Sequence, residues 1–187
     1  MQALNQYLAS ALKQARRTRG WSLDTTAANT GVSKAMLGQI ERGESSPTLA
    51  TLWKIASGFD LSFTYFLGPA NPEADALEWR PAEQQRPQLA EGEMQVSVRF
   101  PYDPKYGFEW FELALPPGYE RISEPHNSGV VEHISVRSGE MEVFAQGRWH
   151  KLKAGDSLRF AADAEHGYRN LTAQTVQCED LIYYPGP

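Results

Sequence analysis

The chain has 187 residues, 41% of them apolar, and a formal net charge of −5. That composition supports packed cores and excludes a disordered chain, and no apolar run approaches the length of a membrane span. A single cysteine, Cys178, excludes an internal disulfide; with no signal-peptide pattern at the N-terminus, the expectation is a cytoplasmic protein with no membrane partner.

Residues 1–67 carry a net charge of +3 and the remaining 120 a net charge of −8, so the two parts are expected to meet different partners. The first part reads as helices. Leu4, Leu8, Ala11, Leu12 and Ala15 form an apolar stripe at helical spacing, ended by Gly20 after Arg16, Arg17 and Arg19. Ser22 caps a second helix that runs to about Asn29, with Gly31 ending it, and Ser33 caps a third. Ser46-Pro47 fits an N-cap and first-turn proline for a fourth helix burying Leu49, Leu52, Trp53, Ile55 and Ala56. A last short helix holds Phe63, Phe66 and Leu67.

The third helix places Met36, Leu37 and Ile40 on one side. Ala35, Gly38 and Arg42 fall opposite, flanked by Lys34 and Gln39. A duplex major groove demands such a face, free of bulky apolar groups and bearing donors matched to base edges. Gln39 suits an adenine edge, Lys34 and Arg42 suit guanine or phosphate, and Ala35 suits a thymine methyl. Gly38 lowers helix stability by roughly 1 kcal/mol against alanine, which close approach to DNA would explain.

The segment from Arg16 to Leu67, "RRTRGWSLDTTAANTGVSKAMLGQIERGESSPTLATLWKIASGFDLSFTYFL", resembles the XRE family of helix-turn-helix regulators. Ala27, Gly31, Val32, Ser33, Ile40, Glu41, Gly43 and Pro47 stand in the family's register. The resemblance implies a five-helix, lambda-repressor-like bundle over residues 1–67 that binds double-stranded DNA. The candidate contacts are Arg17, Thr25, Ser33, Lys34, Ala35, Gly38, Gln39 and Arg42, with Ser45 and Ser46 on phosphate. Glu41 is expected to pair with an arginine such as Arg17 rather than with DNA.

Residues 68–93 are rich in Pro, Ala, Glu and Gln and read as a linker, although Trp79 within them points to some packing on a domain. From Met94 the period becomes two: "MQVSVRF", "FEWFELAL", "VEHISVR", "EMEVFAQG", "DSLRF" and "TVQCEDLIYY" are short alternating segments separated by turn signals. They imply a sandwich or barrel over residues 94–187. His133 should face away from Glu132, His150 falls in a turn, and Cys178 reads as a buried filler. Arg99, Arg121 and Arg159 are read as surface residues; one turned inward would pair with an anionic group.

"PHNSGVVEHISVRSG" and "GDSLRFAADAEHGYRN" are similar to the two cupin motifs. His126, Glu132, Gly139, Gly155, His166 and Asn170 match; Ser128 stands where the pattern has its second histidine, and Ala161 and Asp163 replace a proline and a glycine. The resemblance implies an antiparallel β-barrel in a two-domain α + β chain, with a metal or ligand site at His126, Ser128, Glu132 and His166. The cofactor is unidentified. Three ligands plus water suit Zn²⁺ or Fe²⁺, and the same residues can instead bond one another or an organic ligand.

Fusions of an XRE domain to a small cupin domain form a group of bacterial regulators, and the chain looks like one. "GVSKAMLGQIERGESSPTLATLWKIA", "FPYDP" and "GVVEH" bring it nearest the sulfur-utilisation branch. The expectation is a non-enzymatic, homodimeric regulator on a pseudo-palindromic operator, controlled by a small-molecule effector. A metal-dependent cupin oxygenase or isomerase and an antitoxin-type interaction protein are the alternatives.

Overall fold

The structure, a computed structural model, describes residues 2–68, 78–81 and 93–185, with side chains from residue 5 onward. The chain divides into two compact units, Met1–Pro72 and Glu73–Pro187.

In the first unit α1 spans Gln2–Thr18, α2 Leu23–Thr30, α3 Lys34–Glu41 and α4 Leu49–Phe59. Ser22 and Ser33 cap α2 and α3 by accepting from the backbone N–H of Thr25 and Met36. Between them Gly31 takes the left-handed conformation, φ 65°, that ends α2 and lets the chain turn within three residues. The fourth helix starts two residues later than the sequence implied: Thr48, not Ser46, is its N-cap, accepting from Thr51 N. Among the described residues four α-helices form the bundle, not five. The expected fifth element, Phe63–Phe66, is a single 3-10 turn, too short for a ladder of i→i−4 bonds.

Leu8, Leu12 and Ala15 of α1, Leu37 and Ile40 of α3, Leu52, Ile55 and Phe59 of α4, and Phe63 and Phe66 make the core. Trp21 stacks on Phe59 and the half-buried Trp53 on Phe63. Gly58 brings α4 against the end of α2: a Cβ there would lie 2.7 Å from Asn29 O and from Thr30 Cα. This contact fixes α2, and α3 through the tight turn that follows it.

The linker expected over residues 68–93 falls mainly outside the described residues. Trp79 is described and is 83% exposed, so the packing expected of it is not seen.

The second unit holds nine described strands: β1 Gln95–Asp103, β2 Phe108–Leu115, β3 Glu120–Ser123, β4 Val131–Ser138, β5 Glu140–Ala145, β6 Arg148–Lys153, β7 Ser157–Ala161, β8 His166–Arg169 and β9 Val176–Tyr183. They form two antiparallel sheets, ordered β1-β2-β9-β4-β7 and β3-β8-β5-β6. β1 runs through Pro101 to Asp103, where a turn was expected, and His150 lies on β6 rather than in a turn. The alternating burial of β2 and β9 sends Phe111, Leu113 and Leu115, and Val176, Cys178 and Ile182, into the interior. Cys178 is the buried filler expected, its thiol pushed far up by burial. Arg99 pairs with Glu112 on the neighbouring strand, Arg121 is half-buried and Arg159 is exposed.

Candidate nucleic-acid interface and barrel-interior site

α3 is held by its apolar side and offers the other. Leu37 and Ile40 are fully buried, whereas Lys34, Ala35, Gln39 and Arg42 are exposed. Two expectations are corrected. Met36, placed on the core side by spacing, is 39% exposed at the edge of the open face. Gly38, placed on the open face, is buried: Arg42 Nη1 and Leu23 Cδ1 lie 3.1 and 3.9 Å from where its Cβ would be.

The cations on this face have intramolecular partners. Lys34 Nζ lies 2.8 Å from Asp24 Oδ2, and Arg42 makes a bidentate pair with Glu44 at 2.8 and 2.7 Å. Both pairs are exposed and so exchange readily for phosphate. Arg17 and Thr25 are exposed, Thr25 sharing a hydrogen bond with Ser22. Ser33 is also exposed while its hydroxyl caps α3, Ser45 is half-buried, and the exposed Ser46 accepts from Asn5 Nδ2 at 2.6 Å.

Glu41 has an arginine partner, but it is Arg16. Nε and Nη2 of Arg16 donate to the two carboxylate oxygens at 2.6 and 2.9 Å, and Nη1 donates to Trp21 O. Arg17, one residue on, faces solvent. The pair ties α3 to α1 in a half-buried position, so it sets the angle at which the open face is offered.

The second cluster lies in the interior of the strand-rich unit, whose strands form two separate antiparallel sheets among the described residues rather than the closed barrel expected. Glu132 on β4 is 1% exposed. His126 Nε2 lies 2.8 Å from Glu132 Oε1 and His166 Nε2 lies 3.4 Å from the same oxygen. The Tyr168 hydroxyl donates to Glu132 Oε2. His166 Nδ1 is 2.9 Å from Ala164 O, a contact that places a proton on Nδ1.

Burial alone would raise the Glu132 carboxyl. The His126 hydrogen bond, the charges of His166 and His126 and the Tyr168 hydrogen bond together outweigh it and hold the group below the usual carboxylate value. Tyr168, desolvated and facing Glu132, keeps its proton far above the normal tyrosine range.

The donor set fits a metal ion. Donor atoms of His126, Glu132 and His166 all lie within 4.8 Å of one another. A tetrahedral Zn²⁺ with bonds of about 2.0–2.1 Å spaces its ligand atoms about 3.3 Å apart; the two histidine nitrogens lie 2.8 and 3.4 Å from Glu132 Oε1, and the set as a whole spans up to 4.8 Å. Ser128, the fourth expected member, is exposed, and the next amide, Gly129 N–H, donates to Asp163 Oδ2. Asn170 is a scaffold: its Nδ2 donates to the carbonyls of Leu115, Pro116 and Gln174.

Sequence reasoning missed Glu109 and Asp180, both buried in the strand-rich unit. For Asp180 a signal existed. Val176, Cys178 and Ile182 fix the inward phase of "VQCEDLIYY", and Asp180 shares it.

Helix-turn-helix matches residues 12–66 and Cupin domain matches residues 111–182. The HTH-type transcriptional regulator SutR of Escherichia coli (strain K12) is 45% identical over 185 residues, covering 99% of each chain. The crystal structure of an HTH_3 family transcriptional regulator from Vibrio cholerae is 42% identical, covers 98% of each chain and superposes with a TM-score of 0.81. FeII HppE, at 15% identity and a TM-score of 0.52 over 96% of this chain and 99% of its own, shares the fold alone. No helix among the described residues is long and apolar enough to cross a membrane. The chain belongs to the XRE-type helix-turn-helix transcriptional regulators that carry a C-terminal cupin domain.

Proposed function

We propose that α3 reads the major groove of an operator and that the barrel interior binds a small effector that sets operator affinity. The observation that carries this is the pairing of a buried Leu37–Ile40 edge with an exposed Lys34, Ala35, Gln39 and Arg42 face on a capped helix. Arg17, Thr25, Ser33, Ser45 and Ser46 flank that face and position it on phosphates. One such domain binds weakly, so the active species is a homodimer on two half-sites about 34 Å apart. Effector binding then acts by linkage, and a coupling of ~1–3 kcal/mol changes operator affinity about 5–150-fold.

The full-length match to a named transcriptional regulator favours this reading over an antitoxin or an enzyme. His126, Glu132 and His166 would hold a Zn²⁺ or Fe²⁺ ion if one binds, and the ion would supply a fixed positive charge to polarise an effector oxygen.

Gly38→Ala tests the groove contact. The added methyl meets the tip of the flexible Arg42 side chain and, at ordinary contact distance, Leu23 Cδ1, and it removes a glycine from a helix, so thermal stability is expected to hold or rise by about 1 kcal/mol. Operator affinity, read by fluorescence anisotropy at fixed salt, is expected to fall. A variant that binds DNA as well as the wild type would show that the Arg42 side chain packed over Gly38 takes no part in the groove contact.

A further inference from the structure

The interior face of the five-stranded sheet carries three buried carboxylates, one of which, Asp180, has an oxygen without a hydrogen-bond partner among the described residues. Glu109 on β2 pairs with Ile182 on β9, and Ile182 pairs with Glu132 on β4. Asp180 pairs with Phe111 and Ile134, one inward position along the same three strands. It therefore sits diagonally between Glu109 and Glu132, at the roughly 7–8 Å expected of diagonal cross-strand neighbours. All three are buried: Glu109 is 0%, Glu132 1% and Asp180 4% exposed.

Glu132 accepts from Tyr168 and Glu109 accepts from Tyr184. Asp180 Oδ1 is buried with no hydrogen-bond partner among the described residues. Buried acceptors are nearly always satisfied, so an unmade bond at the centre of a carboxylate cluster calls for a donor. The arrangement is not a metal cage. Among the described residues the group of three or more that could hold a metal is His126, Glu132 and His166, which takes in neither Asp180 nor Glu109, and a metal gathers its ligands at about 2.0–2.6 Å. A cation that carries several N–H donors bridges acceptors spread more widely than that.

We infer that the barrel interior takes a small organic cation whose primary ammonium head donates to Asp180 Oδ1 between the flanking carboxylates of Glu109 and Glu132. The inference rests on reading the barrel as the effector chamber and names the chemical class of the effector. It also separates this subsite from the His126–Glu132–His166 trio, with which it shares Glu132 alone.

The test uses the full chain and butylammonium chloride as the probe, with sodium butyrate and butanol as head-group controls at equal ionic strength. Thermal shift and titration calorimetry are run on the wild type, Asp180→Asn and Glu109→Gln, with operator affinity measured in parallel without probe. Saturable stabilisation by butylammonium alone is expected, weakened at least tenfold in Asp180→Asn and also reduced in Glu109→Gln. Should Asp180→Asn fail to fold, Glu109→Gln carries the comparison.

Absence of butylammonium binding, equal binding in both variants, an equal response to butanol, or a response to zinc chloride in place of butylammonium overturns the inference. Intact operator binding without ammonium binding sinks this inference and leaves the DNA reading standing. Lost operator binding with ammonium binding preserved does the reverse.

Discussion

Glu132→Ala is expected to destabilise the strand-rich unit by about 3–5 kcal/mol, the range for removing one partner from a buried charge pair. The substitution strands the His126 ring nitrogen and the Tyr168 hydroxyl, both of which bond Glu132, and leaves His166 without its neighbouring charge. It also removes the one carboxylate of the candidate metal trio, so zinc uptake measured on the refolded variant should vanish. Glu132→Gln keeps the shape and an acceptor, and is expected to lose less.

The sign of the pH dependence follows from the lowered Glu132 value. A carboxyl whose folded value lies below its unfolded one contributes stability above the unfolded value of about 4. That contribution is lost as pH falls through the lowered folded value. The gap between wild type and Glu132→Gln in urea melts should therefore be widest near neutrality and close in acid. A gap independent of pH would contradict the ion-pair account of this cluster.

Asp180→Asn is expected to act in the opposite sense, raising the stability of the ligand-free protein by about 1–3 kcal/mol at neutral pH, the scale of an unsatisfied buried group. Burial, then the charges of Glu132 and Glu109, push the Asp180 carboxyl well above its ordinary value. The unfolded chain gives up this proton near pH 4 while the folded chain keeps it, so the wild type loses stability as pH rises from there. Thermal melts across pH should show the Asp180→Asn advantage growing from acid to neutral. A variant no more stable than the wild type at neutral pH would mean that Asp180 is satisfied in the folded protein. Retaining a destabilising aspartate is what a binding site does, and the variant that gains stability is the one expected to lose the ammonium probe.

The helical unit was legible because its signals are local. Serine caps, a left-handed glycine and spacing of 3.6 place α2 and α3 within a residue or two. What it hid depends on neighbours far along the chain. Whether Glu41 meets Arg16 or Arg17 turns on the rotation of α1, and Gly38 reads as open until Arg42 folds over it. Gly58 gives no hint in sequence that its missing side chain admits the backbone of α2.

Among the strands, six alternating runs were visible and three were not. β3 and β8 have four residues each, too few for a period of two to declare itself, and Gly167 interrupts β8. β6, "RWHKLK", carries so much charge that it reads as a turn. His126, Glu132 and His166 were found through motif spacing. In "FEWFELAL" both phases hold aromatics and a glutamate, so nothing local says that Glu109 is the buried one and Glu112 the half-buried one.

The open face of α3 is the centre of the account, and Gln39→Ala tests it most directly. Binding of wild type and variant should be measured at one salt concentration against an operator and all its single-base substitutions. The expected result is a loss of about 1–3 kcal/mol on the intact operator, with discrimination relaxed at one base pair in each half-site and unchanged elsewhere. Equal affinity for the operator, or a loss spread evenly over every sequence, would contradict it.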